Sequence, residues 1–316
     1  MTLLKIEHLK TYYKMRTGTL RAVDDISFSL AKGESLGIAG ESGCGKSTVA
    51  LSIMRLIRGP HIMEGNILLN GQSLMDIKDK DYNKIRLQRV ALISQAAMGG
   101  LNPVYTIGSQ IAEPLIVRNK MNSKSALKKA AELLERVEID PARIRSYPHE
   151  LSGGMRQRVM IAMSLVLEPE IIIADEPTTA LDVITQATIL KLLNKLKNEL
   201  SLSVIFISHD LSILSQSCDR VMIMYAGRIA ETGRVNEIFY HPHHPYTKAL
   251  IQSFPDISGR LKTLASLPGN IPDLFRETKG CGFHSRCPSM EEHCKDQVPR
   301  MVQITENHLS ACSLPI

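Results

Sequence analysis

Gly40-Glu41-Ser42-Gly43-Cys44-Gly45-Lys46-Ser47-Thr48 follows an apolar segment, Ser35-Leu36-Gly37-Ile38-Ala39, and precedes a run free of helix breakers. The nine residues fit G-x4-G-K-S/T in the strand-to-helix setting that this pattern needs. Glycine lets the backbone curl, so that the N–H groups from Gly40 through Ser42, Gly43, Cys44 and Gly45 to the helix start at Lys46, Ser47 and Thr48 converge on one anion. Lys46 then bridges terminal phosphates, and Ser47 reaches Mg2+. The competing reading is an ordinary glycine-rich turn.

Working outward, Ile171-Ile172-Ile173-Ala174-Asp175-Glu176 reads as a buried strand that ends in two acids. Unpaired buried carboxylates are costly, and ligands of open α/β sheets sit at the carboxyl ends of strands. Asp175 is therefore a candidate Mg2+ ligand and Glu176 a candidate general base, against the alternative of two acids in a solvated turn. Leu151-Ser152-Gly153-Gly154-Met155-Arg156-Gln157-Arg158 reads as a helix start, with Ser152 as N-cap and two glycines exposing first-turn amides. It is either a second anion site or simply a capped helix. Gln95 after Val90 to Ser94, and His209 after Val204 to Ser208, end two further apolar strands.

Between these points the texture alternates. Strands with short turns fill the first 95 or so residues, and helical spacing dominates from about 105 to 165. In Ser125 to Val137, for example, Leu127, Ala130, Ala131, Leu134 and Val137 form the apolar face behind a serine cap. Strands alternating with helices after residue 170 imply a parallel sheet. At Tyr240-His241-Pro242-His243-His244-Pro245-Tyr246 the composition shifts toward Pro, Gly and Cys, which puts a boundary near residue 250.

The 316 residues correspond to about two domains, and 44% hydrophobic with 22% charged residues is ordinary for a globular chain. No apolar run reaches the roughly 18–20 residues of a membrane span, and the first residues lack a secretory layout, so the protein is expected in the cytoplasm. A net charge of +6 suits a polyanionic ligand or an anionic membrane surface. With 4% aromatics and no Trp, the stacking platforms of single-strand nucleic-acid binders are hard to build. Four of six cysteines, Cys281, Cys287, Cys294 and Cys312, crowd the last 36 residues, a pattern more typical of a metal site than of disulfides in a reducing compartment.

Taken in order, the loop at 40 to 48, Gln95, Leu151 to Gln157, Asp175-Glu176, Ala180-Leu181-Asp182 and His209 resemble the ATP-binding subunit of an ABC transporter over about residues 1 to 240. The resemblance implies an α/β P-loop NTPase fold: an ABC-type nucleotide-binding domain with a RecA-like core, an antiparallel β subdomain and a helical subdomain at about 100–165. It also implies ATP and Mg2+, the latter held through Ser47, Gln95 and Asp175, with Glu176 as base and His209 contacting the γ-phosphate. In that family two such domains close head to tail. Ser152, Gly153, Gly154 and Gln157 of one then grip the ATP bound by the other, and Asp182 lies in the loop crossing the interface. An aromatic near the N-terminus stacks on adenine; Tyr13 is the better candidate and Tyr12 the next.

Ala22-Val23-Asp24, Leu101-Asn102-Pro103-Val104-Tyr105-Thr106-Ile107-Gly108, Tyr147-Pro148-His149-Glu150 and His244-Pro245-Tyr246-Thr247 are similar to the dipeptide/oligopeptide importer group. That implies a second ATPase subunit, identical or different, two integral-membrane permease subunits and an extracellular substrate-binding protein. It implies a place at the cytoplasmic face of the cell membrane and no nucleic acid partner. Peptide is the implied cargo, with oligosaccharide or nickel as alternatives; a soluble ABC ATPase outside transport is the competing class. The chain departs from the group after Gln95, where Ala96-Ala97-Met98-Gly99-Gly100 replaces an acid and a proline, and at Cys44, where serine is common.

The division is then 1–250, the nucleotide-binding domain, and 251–316, a small Cys-rich C-terminal domain. Its C-x5-C-x6-C-x17-C spacing is similar to that of importers associated with a [4Fe-4S] cluster, so Cys281, Cys287, Cys294 and Cys312 are its candidate ligands. Zinc, or cysteines without metal, remain the alternatives. His284, His293, His308, His241, His243 and His244 are expected at the surface rather than as ligands.

Overall fold

Apolar residues along the first fifteen positions are buried in pairs and alternately, and they form β1 (Thr2–Met15). It runs antiparallel to β2 (Gly18–Ala31), with Met15 opposite Gly18 across a tight turn. The register slips between Ile6 and Leu9, around His8, whose φ of 50° marks a bulge that changes the face presented to the core. The fully buried β3 (Ser35–Ala39) leads into the glycine-rich loop and α1 (Lys46–Ile53). β4 (His61–Leu69) and β5 (Gln72–Ser73) complete an antiparallel four-stranded sheet in the order β2-β1-β4-β5.

This computed structural model describes residues 1–94, 99–179, 181–253, 269–312 and 314. They form two compact units, Met1–Asp76 with Phe206–Ile316, and Ile77–Ile205.

The second unit starts with α2 (Asp79–Ile85) and β6 (Val90–Ile93). Three helices follow: α3 (Ile107–Val117), capped by Thr106; α4 (Ser123–Arg136), capped by Asn122; and α5 (Gly153–Leu165), capped by Ser152. On α4 the buried stripe is Ala126, Ala130, Leu133 and Leu134, continued by Val137, while Leu127 is 40% exposed. The expected stripe was thus set partly one position off: α4 packs on α3 and α5, and the small Ala126 is buried while the larger Leu127 faces solvent. β7 (Ile171–Asp175) lies parallel to β6, both nearly all apolar, as strands covered on two faces must be. α6 (Val183–Leu200) follows, and β8 (Ser203–Ile207) carries the chain back to the first unit.

There α7 (Leu211–Ser217) precedes β9 (Arg220–Tyr225), which is parallel to β3, and β10 (Arg228–Arg234) returns antiparallel. α8 (Val235–Tyr240) and α9 (Pro245–Gln252) close this region. From residue 269 the chain proceeds through turns, with short 3-10 segments at His284–Arg286 and Glu292–Lys295, to the hairpin β11 (Val302–Thr305) and β12 (His308–Ser310). β12 pairs with β10, so the tail extends the sheet of the first unit.

Candidate functional site

In the first unit, β3 ends at a loop whose shape only glycine permits. Gly40 has φ 145° and Gly45 has φ 104°, and a Cβ on either would lie 2.2 Å from the Met224 carbonyl oxygen or 2.1 Å from that of Ala22. The loop therefore presses directly on neighbouring backbone. Cys44 is fully buried within it, and burial pushes its thiol pKa up, so it is a neutral packing residue. Lys46, also buried, donates from Nζ to the carbonyls of Gly40 at 2.8 Å and Glu41 at 3.0 Å. Ser42, Gly43 and Ser47 are exposed on the loop, and Thr48 Oγ1 lies 3.3 Å from the Tyr13 hydroxyl. Tyr12 instead donates to Asp24, and burial next to that carboxylate raises its pKa. The two adjacent tyrosines thus separate: Tyr13 stands at the loop and Tyr12 is engaged by Asp24. His209, beyond β8, is exposed in the same unit.

Glu41 is the loop residue that sequence reasoning passed over. Its carboxylate receives both ends of the Arg286 guanidinium at 2.8 Å, and its N–H donates to the Tyr246 hydroxyl at 3.0 Å. Tyr225, Tyr246, Phe283 and His244 form one cluster of rings around this pair, with centroids 4.6 to 6.5 Å apart. His244 and His308, expected at the surface, are 3% and 2% exposed. The reason is Glu231 on β10, fully buried, which accepts the N–H groups of His243 and His244 and lies 2.6 Å from His308 Nε2. A buried carboxylate holds these histidines inward because it needs partners.

In the second unit, the Ser152 hydroxyl accepts the Met155 N–H at 3.3 Å and caps α5, leaving the Gly153 and Gly154 amides at its first turn. Asp182 caps α6 by accepting the Thr185 N–H at 2.9 Å and its hydroxyl at 2.7 Å, bonds that hold its carboxyl below the usual range. The two helix starts share a groove of about 500 Å3 lined by Ser152, Gly153, Gly154, Asp182 and Thr185 among others. Gly154 fits there because a Cβ would approach Thr185 Cγ2 to 2.7 Å. Gln157 is buried with no hydrogen-bond partner for Nε2 among the described residues. Asp175 ends β7 at 8% exposure, and Glu176 follows at φ 49°, a left-handed conformation costly for a residue with a Cβ, where its carboxylate accepts the Thr179 hydroxyl at 2.8 Å. Gln95 with Ala96 to Met98, and Ala180, lie outside the described residues.

Ser47 in the first unit and Asp175 in the second each carry a hard oxygen donor of the kind Mg2+ prefers. The late cysteines are free thiols. Burial drives the Cys281 pKa up to about 11 and raises those of Cys287 and Cys312, with repulsion from the neighbouring thiols of the group adding to each shift. Among the described residues no group of three or more His, Cys, Asp or Glu side chains is gathered to hold a metal ion.

A family model described as ABC transporter matches residues 23–179, and one described as oligopeptide/dipeptide transporter, C-terminal region, matches 230–294. The chain belongs to the ABC transporter family and has the fold of its ATPase, a nucleotide-binding domain built on a phosphate loop. It is 41% identical over 316 residues to the oligopeptide transport ATP-binding protein OppD of Escherichia coli, which covers 99% of this chain and 94% of that protein. It is 42% identical over 317 residues to AppD, also an oligopeptide transport ATP-binding protein, of Bacillus subtilis, covering 99% and 97%. Among solved structures, the dimeric post-hydrolysis state of the ATP-binding cassette MJ0796 with ADP and Pi superposes with a TM-score of 0.66 at 30% identity, over 74% of this chain and 99% of that one. Among the described residues no helix is long and apolar enough to cross a membrane.

Proposed function

We propose that this chain is the ATP-hydrolysing subunit of an importer for dipeptides or oligopeptides, working at the cytoplasmic face of the membrane with two permease subunits and a second ATPase subunit. The observation that carries the reading is the likeness to oligopeptide transport ATP-binding proteins over 99% of the chain, its C-terminal region included. An extracellular binding protein would deliver the peptide. Residues 1–250 form the nucleotide-binding domain and 251–316 the C-terminal domain in this proposal.

Lys46 and the amides from Gly43 to Thr48 hold the β- and γ-phosphates, and Tyr13 stacks on adenine, a role supported by its contact with Thr48. Ser47, Asp175 and Gln95 would hold Mg2+, which when bound offsets charge on the phosphates. Glu176 takes the proton of the attacking water, and His209 contacts the γ-phosphate. Ser152, Gly153, Gly154, Gln157 and Asp182 grip the nucleotide of the second subunit. Support comes from the open groove between the two helix starts, and from Val183 and Ile184, 80% and 79% exposed beside Asp182. A [4Fe-4S] cluster on the four late cysteines rests on their spacing, and among the described residues no group of three or more His, Cys, Asp or Glu side chains is gathered to hold a single metal ion.

Replacing Glu176 by Gln tests the reading. ATP turnover of the assembled transporter falls about a hundredfold or more while ATP binding persists and the closed dimer accumulates. Turnover at the wild-type rate would refute the base assignment.

A further inference from the structure

The phosphate loop carries a carboxylate at its second position, Glu41, where negative charge opposes a polyphosphate. The compensating cation comes from 245 residues away. Arg286 Nη1 and Nη2 each donate to one Glu41 oxygen at 2.8 Å, in the fork geometry that only a guanidinium provides. Nη1 also donates to the Tyr225 hydroxyl at 3.1 Å, and the Arg286 side chain is 4% exposed. The guanidinium carbon lies 5.7 Å from the Tyr225 ring centroid and 5.9 Å from that of Phe283, which is itself 1% exposed.

The turn bearing Arg286 is fixed on its own side. The Cys281 N–H donates to the Cys294 carbonyl at 2.7 Å, and Gly280 sits so close to the Cys294–Lys295 backbone that a Cβ would meet it at 2.3 Å. On the other side, the Gly40 and Glu41 carbonyls are those that receive Lys46 Nζ. A continuous chain of contacts thus runs from the cysteine-bearing tail through Arg286 and Glu41 to Lys46.

We infer that Arg286 is a positioning residue of the nucleotide site: it neutralises Glu41 and fixes the start of the phosphate loop, so that the C-terminal region sets the affinity for ATP. The inference rests on the ATP-binding reading of that loop. Without Arg286, Glu41 becomes a loose negative charge in the loop, while Lys46 and the loop amides remain.

The test is ATP binding to the purified full-length chain by titration calorimetry, with thermal melting as a check on folding. Arg286→Gln should weaken ATP binding about fivefold or more. Adding Glu41→Gln to that variant should return affinity to within about twofold of wild type, a rescue that a merely structural role of Arg286 would not give. If Arg286→Gln loses its cooperative melt, Arg286→Lys carries the same comparison, with a loss of about two- to threefold that Glu41→Gln again removes. An unchanged affinity in the single variant, or a double variant as weak as the single one, overturns the inference. A wild-type chain that does not bind ATP would overturn the site reading itself.

Discussion

His244 couples the stability of the first unit to pH. It caps α9 with Nδ1, which accepts the Tyr246 N–H at 3.0 Å, and its ring is 3% exposed among Tyr246 and Phe283. Burial, with added repulsion from His243, brings its pKa from 6.5 down to about 4. The folded state therefore resists a proton that the unfolded state takes up near pH 6.5. The unfolded state binds more protons in this window, so stability is intact above it and is lost as pH falls toward 4. With those two values, the loss between about pH 7 and pH 5 is about 2 kcal/mol, rising to about 3 kcal/mol below pH 4. Urea unfolding can follow it by tyrosine fluorescence, since the chain has eight Tyr and no Trp, and Tyr246 adjoins the ring. His244→Asn keeps a capping acceptor but cannot titrate. Its stability should therefore fall less over the same pH range, by about 2 kcal/mol relative to wild type. Equal pH dependence in the two proteins would refute the reasoning.

Gly154→Ala drives a methyl group against Thr185, which is held by Asp182. ATP turnover of the assembled transporter should drop about tenfold or more, with ATP affinity of the isolated chain unchanged in calorimetry. Phe283→Ala empties the centre of the ring cluster and should destabilise the chain by about 3–5 kcal/mol in urea unfolding. It should also weaken ATP binding by loosening Arg286.

The phosphate loop was legible because its glycines answer to local geometry: Gly40 and Gly45 occupy positive φ against backbone, and no other residue serves. Ser152 was legible as an N-cap and is one, whereas Asp182 was legible only as a motif residue and caps α6 as well. The buried apolar runs of β3, β7 and β8 announced a parallel sheet for the same reason. What the sequence concealed depends on contacts across large separations. Nothing near Glu41 marks it as paired with Arg286, and nothing near His308 points to Glu231 on β10. On α4 the error was smaller and local: helical period was clear, but small Ala126 could not compete with Leu127 as an apparent core residue until its neighbours were known.

These hidden contacts decide the charge that a polyphosphate meets. Cys44 in the loop and Cys281, Cys287 and Cys312 in the tail all have thiol pKa values raised by burial, so at neutral pH they add no negative charge. Glu41 would add one, but the Arg286 fork holds it in an ion pair whose partner is nearly inaccessible to water. The ammonium of Lys46 then stands as the uncompensated charge of this group, over loop amides that already favour an anion. A loop with a carboxylate at its second position therefore holds ATP more tightly while Arg286 of the tail is paired with it. That makes the C-terminal region part of the nucleotide site's electrostatics.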